Sequence, residues 1–241
     1  MAVDVVAFGP HPDDVELLVG GTLLRLAALG YRTAIVDLTA GEMGTRGTRE
    51  KRKAEADEAA RHLGVTTRRC LDLGDGRVTP DLHSKMKVVM AIRELRPSLV
   101  FTNYWESNHP DHANAGPLVE EAAYLSGLSR IDVGGEPHRP NRVIYYFVPH
   151  RVPPSFIVDI SDYYEKKLHA VQSYRSQFHD PTSSEPQTTL SHPDFFARIE
   201  GIHRYYGALI DATFGEAFYV REALKVDDPI AFFDKPYTRF V

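Results

Sequence analysis

Two short segments of this chain bring together residue types that hold a divalent metal and move protons. One is GPHPDDVE at positions 9–16 and the other is NHPDHAN at positions 108–114. A catalytic zinc ion takes about three ligands of imidazole or carboxylate type and keeps one position for water. His11, Asp14 and His112 supply such a set, and Fe2+ or Co2+ could fill it in place of Zn2+. Asp13, beside Asp14, is then free to serve as general base. His109 can stand across the site as general acid, or as an imidazolium facing an oxyanion, with Asp111 holding its ring. A plainer reading exists for each string. Pro-Asp-Asp is ordinary turn composition, and Asp111 could merely cap a helix. HPD recurs at 192–194 without a closing histidine or a preceding strand, so that copy reads as a loop and helix cap.

The elements that would carry these segments decide between the readings. Val3 to Gly9 is a short apolar run closed by Gly-Pro, the pattern of a buried parallel strand. A helical pattern follows from Val15 to Leu29, with Gly30 at its C-cap position, and Arg32 to Leu38 reads as the second strand. The Gly/Thr-rich loop TAGEMGTRGT leads to a helix over 49–62; RRCLDLG holds a third strand, and 81–95 is an amphipathic helix. Ser98 to Asn103 is a fourth strand, and a helix begins near Asp111. Alternation of this kind implies right-handed βαβ units. The fold class expected is α/β: a Rossmann-like, doubly wound, mostly parallel sheet flanked by helices. RVIYYFV, SFIVDI, the helix SDYYEKKLHAVQSY, a helix over 194–209 and EAFYVRE form a small C-terminal elaboration, and 178–193 reads as a mobile polar loop. The whole chain, 1–241, is expected to be one domain. In such sheets ligands bind beyond the carboxyl ends of strands, where the strand order reverses, between the first and fourth strands. The two His/Asp segments follow those two strands.

Composition removes several function classes. The chain has 28 basic and 33 acidic residues, a net charge of −5 and no long basic run, which argues against nucleic-acid binding. Cys70 is the only cysteine, so neither an internal disulfide nor a thiolate cluster is available, and it reads as a small buried hydrophobe. No apolar stretch reaches membrane-spanning length, and no basic n-region precedes VDVVAFG; a cytoplasmic protein is expected. Gly20-Gly21-Thr22 is not a dinucleotide fingerprint and no Walker motif occurs, which argues against a nucleotide cofactor.

At PHPDDVE and HPDH the sequence resembles the PIG-L/LmbE-like deacetylases, and the likeness runs on through GGT (20–22), LTAGEMGTRGT (38–48), Arg52 with Glu55, and YRSQF (174–178). Within that family it is most similar to the N-acetylglucosaminyl-malate deacetylases of bacillithiol biosynthesis. The resemblance implies zinc on His11, Asp14 and His112, Asp13 as base, and His109 oriented by Asp111. It implies a small amidosugar substrate and a homo-oligomer, trimer or hexamer, and it points to Arg52 as a substrate-binding residue. Many relatives carry Arg where Asn108 stands, which alters recognition of an anionic aglycone. Some place a tyrosine near the oxyanion, and Phe195 occupies the corresponding position here. For a malate dicarboxylate, Arg52, Arg142 and Arg151 are the candidate cationic partners. Deacetylation of free N-acetylglucosamine or chitooligosaccharides is the alternative within the same chemistry. A metal phosphoesterase would require more ligands for a second ion, and a non-catalytic sugar-binding module would have no use for Asp13.

Overall fold

The computed structural model describes residues 2–233. β1 (Val5–Gly9) is buried at every position, so both of its faces must be covered. Its alternate side chains point into two separate cores. Val5 and Ala7 join Ile35, Phe101 and the helices on one face, while Val6 and Phe8 join Ala34, Val36 and Val100 on the other. β2 (Thr33–Asp37), β3 (Thr67–Cys70), β4 (Leu99–Asn103) and β5 (Arg142–Tyr146) complete a five-stranded sheet of order β3-β2-β1-β4-β5. Every pairing in it is parallel. The order reverses between β1 and β4, where Ala7 pairs with Phe101, as the alternation of elements predicts.

The first face is covered by α1 (Asp14–Ala28), α2 (Arg49–Leu63) and α5 (Tyr164–Gln172), and the second by α3 (Leu82–Leu95) and α4 (Pro110–Leu125). Local signals set the ends. The Thr48 hydroxyl accepts from the Lys51 N–H to start α2, and Gly64, left-handed at φ 65°, ends it. The Asp81 carboxylate accepts from Ser84 N–H to start α3. β6 (Phe156–Asp159) and β7 (Gly215–Phe218) form the smaller, antiparallel sheet of the C-terminal elaboration. A single bridge between Tyr145 and Tyr219 joins it to β5. α6 (Phe195–Ala208) packs on this sheet, and a short α7 (Pro229–Phe232) follows.

Two expectations are corrected. Cys70 is exposed, because it ends β3 at the open edge of the sheet. The polar segment 178–193 has no regular structure but is tied down. Glu185 accepts from Arg46 Nε at 3.3 Å and from Gly47 N–H at 3.4 Å, and Leu190 packs against the core.

Candidate metal centre

The turn after β1 and the start of α4 meet at the carboxyl ends of β1 and β4. Three ligand atoms from them form a nearly equilateral triangle: His11 Nδ1, Asp14 Oδ2 and His112 Nε2 are each 3.3 Å from the other two. A divalent ion bound tetrahedrally at about 2.0–2.1 Å separates its ligand atoms by about 3.3–3.4 Å. The triangle therefore has the size such an ion requires, and a two-nitrogen, one-oxygen donor set suits Zn, Fe or Co. Asp14 is buried and heads α1, and its Oδ2 also accepts from the His11 backbone N–H at 2.9 Å.

The remaining partners fix the tautomers. His11 Nε2 lies 3.1 Å from Asp75 Oδ1 and 3.1 Å from Asp111 Oδ2. Carboxylates only accept, so Nε2 keeps its proton, and Nδ1, which faces the triangle, is the nitrogen that gives up a proton when an ion binds. Burial alone would depress the pKa of His11, but Asp111, Asp14 and Asp75 outweigh it and push it up to about 12. Burial likewise opposes the charged form of Asp14, yet His112 and His11 hold its pKa well below the usual carboxylate range.

Asp111 therefore serves His11 and not His109, contrary to the sequence expectation. Its two oxygens accept from Gly76 N–H at 2.8 Å and Val78 N–H at 3.1 Å, which aims it across the crevice. His109 is set by the backbone instead. It is the N-cap of α4, and its Nδ1 accepts from the Asp111 N–H at 3.2 Å. A neutral His109 consequently presents an Nε2–H donor. Its ring is exposed and lies 4.9 Å, centroid to centroid, from both His11 and His112. Burial and those two rings lower its pKa, which favours the neutral form.

Asp13 is buried beside the triangle in an unusual backbone state, φ 113°. Burial raises its pKa to about 7, partly offset by Arg52. Arg52 is buried too: Nη1 donates to Gly41 O at 2.9 Å, and Nη2 to Pro12 O at 2.7 Å and Asp13 Oδ2 at 3.1 Å, while its buried Nε has no partner among the described residues. It sits behind Asp13 and holds its carboxylate, where the resemblance pointed to a substrate contact. Gly41, at φ 65°, is needed for this, since a Cβ there would lie 2.1 Å from Arg52 Nη1.

The other predicted cations are not gathered at the centre. Arg142 opens β5, at the end of the sheet opposite the crevice, and pairs with Glu222 at 3.1 Å. Arg151 lies in the loop after β5 on an exposed ion pair with Glu106, and Asn108 is exposed in the loop before His109. Phe195 is buried in the core against Phe178.

Sequence reasoning missed Asp75. It follows β3 in the GDG of LDLGDGR, a third strand-end loop to which the same crevice rule applied. Glu42 fixes it by accepting from the Asp75 N–H at 2.8 Å, and Asp75 Oδ2 accepts from the Met43 N–H at 2.9 Å. YRSQF also gains a role. Ser176 donates twice to Glu55, at 2.8 and 2.7 Å, and Gln177 Nε2 donates to Arg46 O at 2.8 Å, which ties the Gly/Thr loop to α2.

A parallel α/β sheet with three ligand atoms and a buried carboxylate at its switch point has the anatomy of a mononuclear metal hydrolase. The family described as GlcNAc-PI de-N-acetylase (PIG-L) matches residues 6–123. The chain is 35% identical over 189 residues to the diacetylchitobiose deacetylase of Thermococcus kodakarensis, which covers 72% of this chain and 70% of that protein. It is 32% identical over 186 residues to a probable N-acetyl-alpha-D-glucosaminyl L-malate deacetylase 2 of Bacillus anthracis, over 70% of this chain and 79% of that one. A conserved protein from Thermus thermophilus superposes with a TM-score of 0.84 at 38% identity, covering 93% of this chain and 98% of that one. The chain belongs to the PIG-L family of deacetylases, which are amide hydrolases. Among the described residues, no helix is long and apolar enough to cross a membrane.

Proposed function

We propose that this protein is a divalent-metal-dependent N-deacetylase that hydrolyses the acetamide of a small N-acetylglucosamine-containing substrate to a free amine and acetate. The observation that carries this reading is the 3.3 Å triangle of His11, Asp14 and His112 with the unligated, buried Asp13 beside it. An ion held there, Zn2+ or in its place Fe2+ or Co2+, would acidify a water and polarise the acetamide carbonyl. Asp13, held by Arg52, accepts the proton of the attacking water. Its pKa near 7 suits a group that takes a proton and gives it up again at neutral pH. His109 directs Nε2–H at the oxygen where negative charge develops, and Asp13 hands the proton it took from water to the departing amine. Asp75 and Asp111 keep His11 in the tautomer that leaves Nδ1 free.

Within this chemistry, N-acetylglucosaminyl malate and neutral chitooligosaccharides are the two substrate types. The malate reading now rests on Arg151. Its pair with Glu106 is exposed at 72% and 43%, so it is weak and can exchange for a substrate carboxylate. Arg52 is buried with Nη2 committed to Pro12 and Asp13, and Arg142 is remote, which favours the neutral sugars. The test is amine release from N-acetylglucosamine, diacetylchitobiose and N-acetylglucosaminyl malate by metal-free and metal-restored protein. Release that returns only with metal is expected. Full turnover by the stripped protein, or phosphate release from a panel of esters with no acetate from any amidosugar, would overturn the reading. If Arg151 holds the malate, Arg151→Ala raises KM for that substrate alone.

A further inference from the structure

A cavity of about 190 Å3 opens beside His112 of the metal-ligand triangle, and the chemistry above does not use it. Its walls are Leu18, Phe147, Val148, Ile199, Ile202 and Tyr206. Two of these connect it to the site. Leu18 stands one helical turn beyond Asp14 on the same face of α1. Phe147 lies edge-on to His112, with ring centroids 5.6 Å apart. Phe147 follows β5 with φ 60°, a conformation a non-glycine residue adopts at a cost. That turn brings a half-exposed aromatic ring to the lip between triangle and cavity.

The floor carries polar residues, His203 and Glu216, yet they present no open valence. His203 Nδ1–H donates to Ile199 O at 2.8 Å, and its Nε2 accepts from Lys167 Nζ. Glu216 accepts from Lys167 at 2.7 Å and from the Gly21 and Thr22 N–H groups at 2.9 and 2.7 Å. A guest therefore meets a mostly apolar wall, with the His150 imidazole, 6.2 Å from the Tyr206 ring, as its remaining polar group. The Gly/Thr loop beside the triangle carries carboxylates instead: Glu42 and Asp75 already take backbone N–H groups, yet each carboxylate has lone pairs left to accept from a sugar hydroxyl. A scissile amide held between the two sides would turn its sugar toward the polar loop and its acyl group toward Phe147.

Resting on the proposed function, we infer that this cavity is an acyl subsite, and that the enzyme cleaves N-acyl amidosugars with chains longer than acetyl. At roughly 30 Å3 for each water-sized unit, the space holds about six non-hydrogen atoms, enough for a butyryl to hexanoyl chain. The bond changes are those of deacetylation. Water adds its oxygen to the acyl carbon, the C–N bond breaks, the nitrogen takes a proton, and butyrate or hexanoate leaves in place of acetate. Each methylene buried is worth about a fourfold gain in binding.

The experiment compares N-acetyl-, N-butyryl- and N-hexanoylglucosamine, by amine release, with the metal-loaded full chain. The expected result is a kcat/KM for the two longer chains equal to or above that for acetyl. Ile202→Phe and, separately, Ala217→Leu should fill the cavity and lower butyryl and hexanoyl turnover at least tenfold more than acetyl turnover. Acetate release with butyryl cleaved a hundredfold more slowly would overturn the subsite and leave the deacetylase reading standing. Equal losses on all three chains in both filling variants would also overturn it. No amine from any of the three sugars would overturn both readings together.

Discussion

Replacing Arg52 by lysine separates a residue that positions the base from one that grips substrate. The guanidinium reaches two backbone carbonyls and a carboxylate at once, through Nη1 to Gly41 and Nη2 to Pro12 and Asp13. A lysine keeps the charge, but one shorter ammonium cannot span all three. Two buried acceptors are then left short of a donor. At about 1–3 kcal/mol each, Arg52→Lys should destabilise the fold by about 2–6 kcal/mol. Asp13 survives but is no longer fixed in place. A positioned general base contributes on the order of 10^2–10^4 in rate, so losing its alignment should lower kcat roughly 30- to 100-fold. KM should change by less than about threefold, because an interaction realised only in the transition state leaves ground-state binding alone. The assay is kcat and KM for acetate release, with a urea melt on the same preparation. If KM rises tenfold while kcat holds, the guanidinium touches substrate and the positioning argument fails.

Three further outcomes follow from the same geometry. Gly41→Ala puts a Cβ 2.1 Å from Arg52 Nη1 at a residue with φ 65°, so it should reproduce the kcat loss of Arg52→Lys; wild-type kcat would contradict it. Asp75→Asn removes one of two carboxylates on His11 Nε2 and should weaken zinc binding about 10- to 100-fold in a chelator competition. Unchanged zinc affinity would dismiss Asp75 as a partner of the site. The third concerns acid stability. Burial, with Lys167 beside it, depresses the pKa of His203 from near 6.5 to about 2. The unfolded chain therefore takes up a proton there that the fold refuses, and the stabilisation is complete above about pH 6.5. It is lost by about 1.4 kcal/mol per unit as pH falls below that value. Urea midpoints for the parent should fall more steeply between pH 7 and 5 than those of His203→Gln; parallel curves would refute the assignment.

The sheet was legible because its signals are periodic and local. Val5 to Gly9 is apolar at every position because both faces are covered, and strand–helix alternation then dictates parallel pairing and the β1/β4 reversal. His11, Asp14 and His112 were legible through that reversal, since it predicts which loops meet. The orientation of partners was not. HPD shows why: at both copies the histidine Nδ1 accepts the N–H of the aspartate two residues on, at 3.2 Å for His109 and 3.1 Å for His192. The motif is by itself a helix start. The first copy becomes chemical only because His112 follows and Gly76 and Val78, from a distant loop, turn the Asp111 carboxylate toward His11. Those contacts join residues about 35 positions apart, and no local spacing encodes them. The role of Arg52 was hidden for the same reason, since a helix arginine looks alike whether it faces solvent or a buried carbonyl.

The backbone of Asp13 suggests why so much is anchored around one residue. A non-glycine residue at φ 113° costs on the order of 1–3 kcal/mol and persists only where its surroundings over-determine it. Here they do so from both sides of the residue. Pro12, immediately before it, gives its carbonyl to Arg52, and the Asp13 side chain takes the same Nη2. Immediately after it, Asp14 is pinned by the His11 N–H. The strained peptide is thus clamped between the arginine and the first turn of α1. An unstrained turn would let consecutive aspartates diverge, because successive side chains in extended or helical backbone point to different sides. The distortion brings Asp13 and Asp14 to one crevice, Asp14 with an oxygen in the triangle and Asp13 with a carboxylate beside it, and glycine could adopt the same φ only by giving up the carboxylate. Strain at this position is therefore part of the site, and the energy that sustains it comes from the buried hydrogen bonds of Arg52.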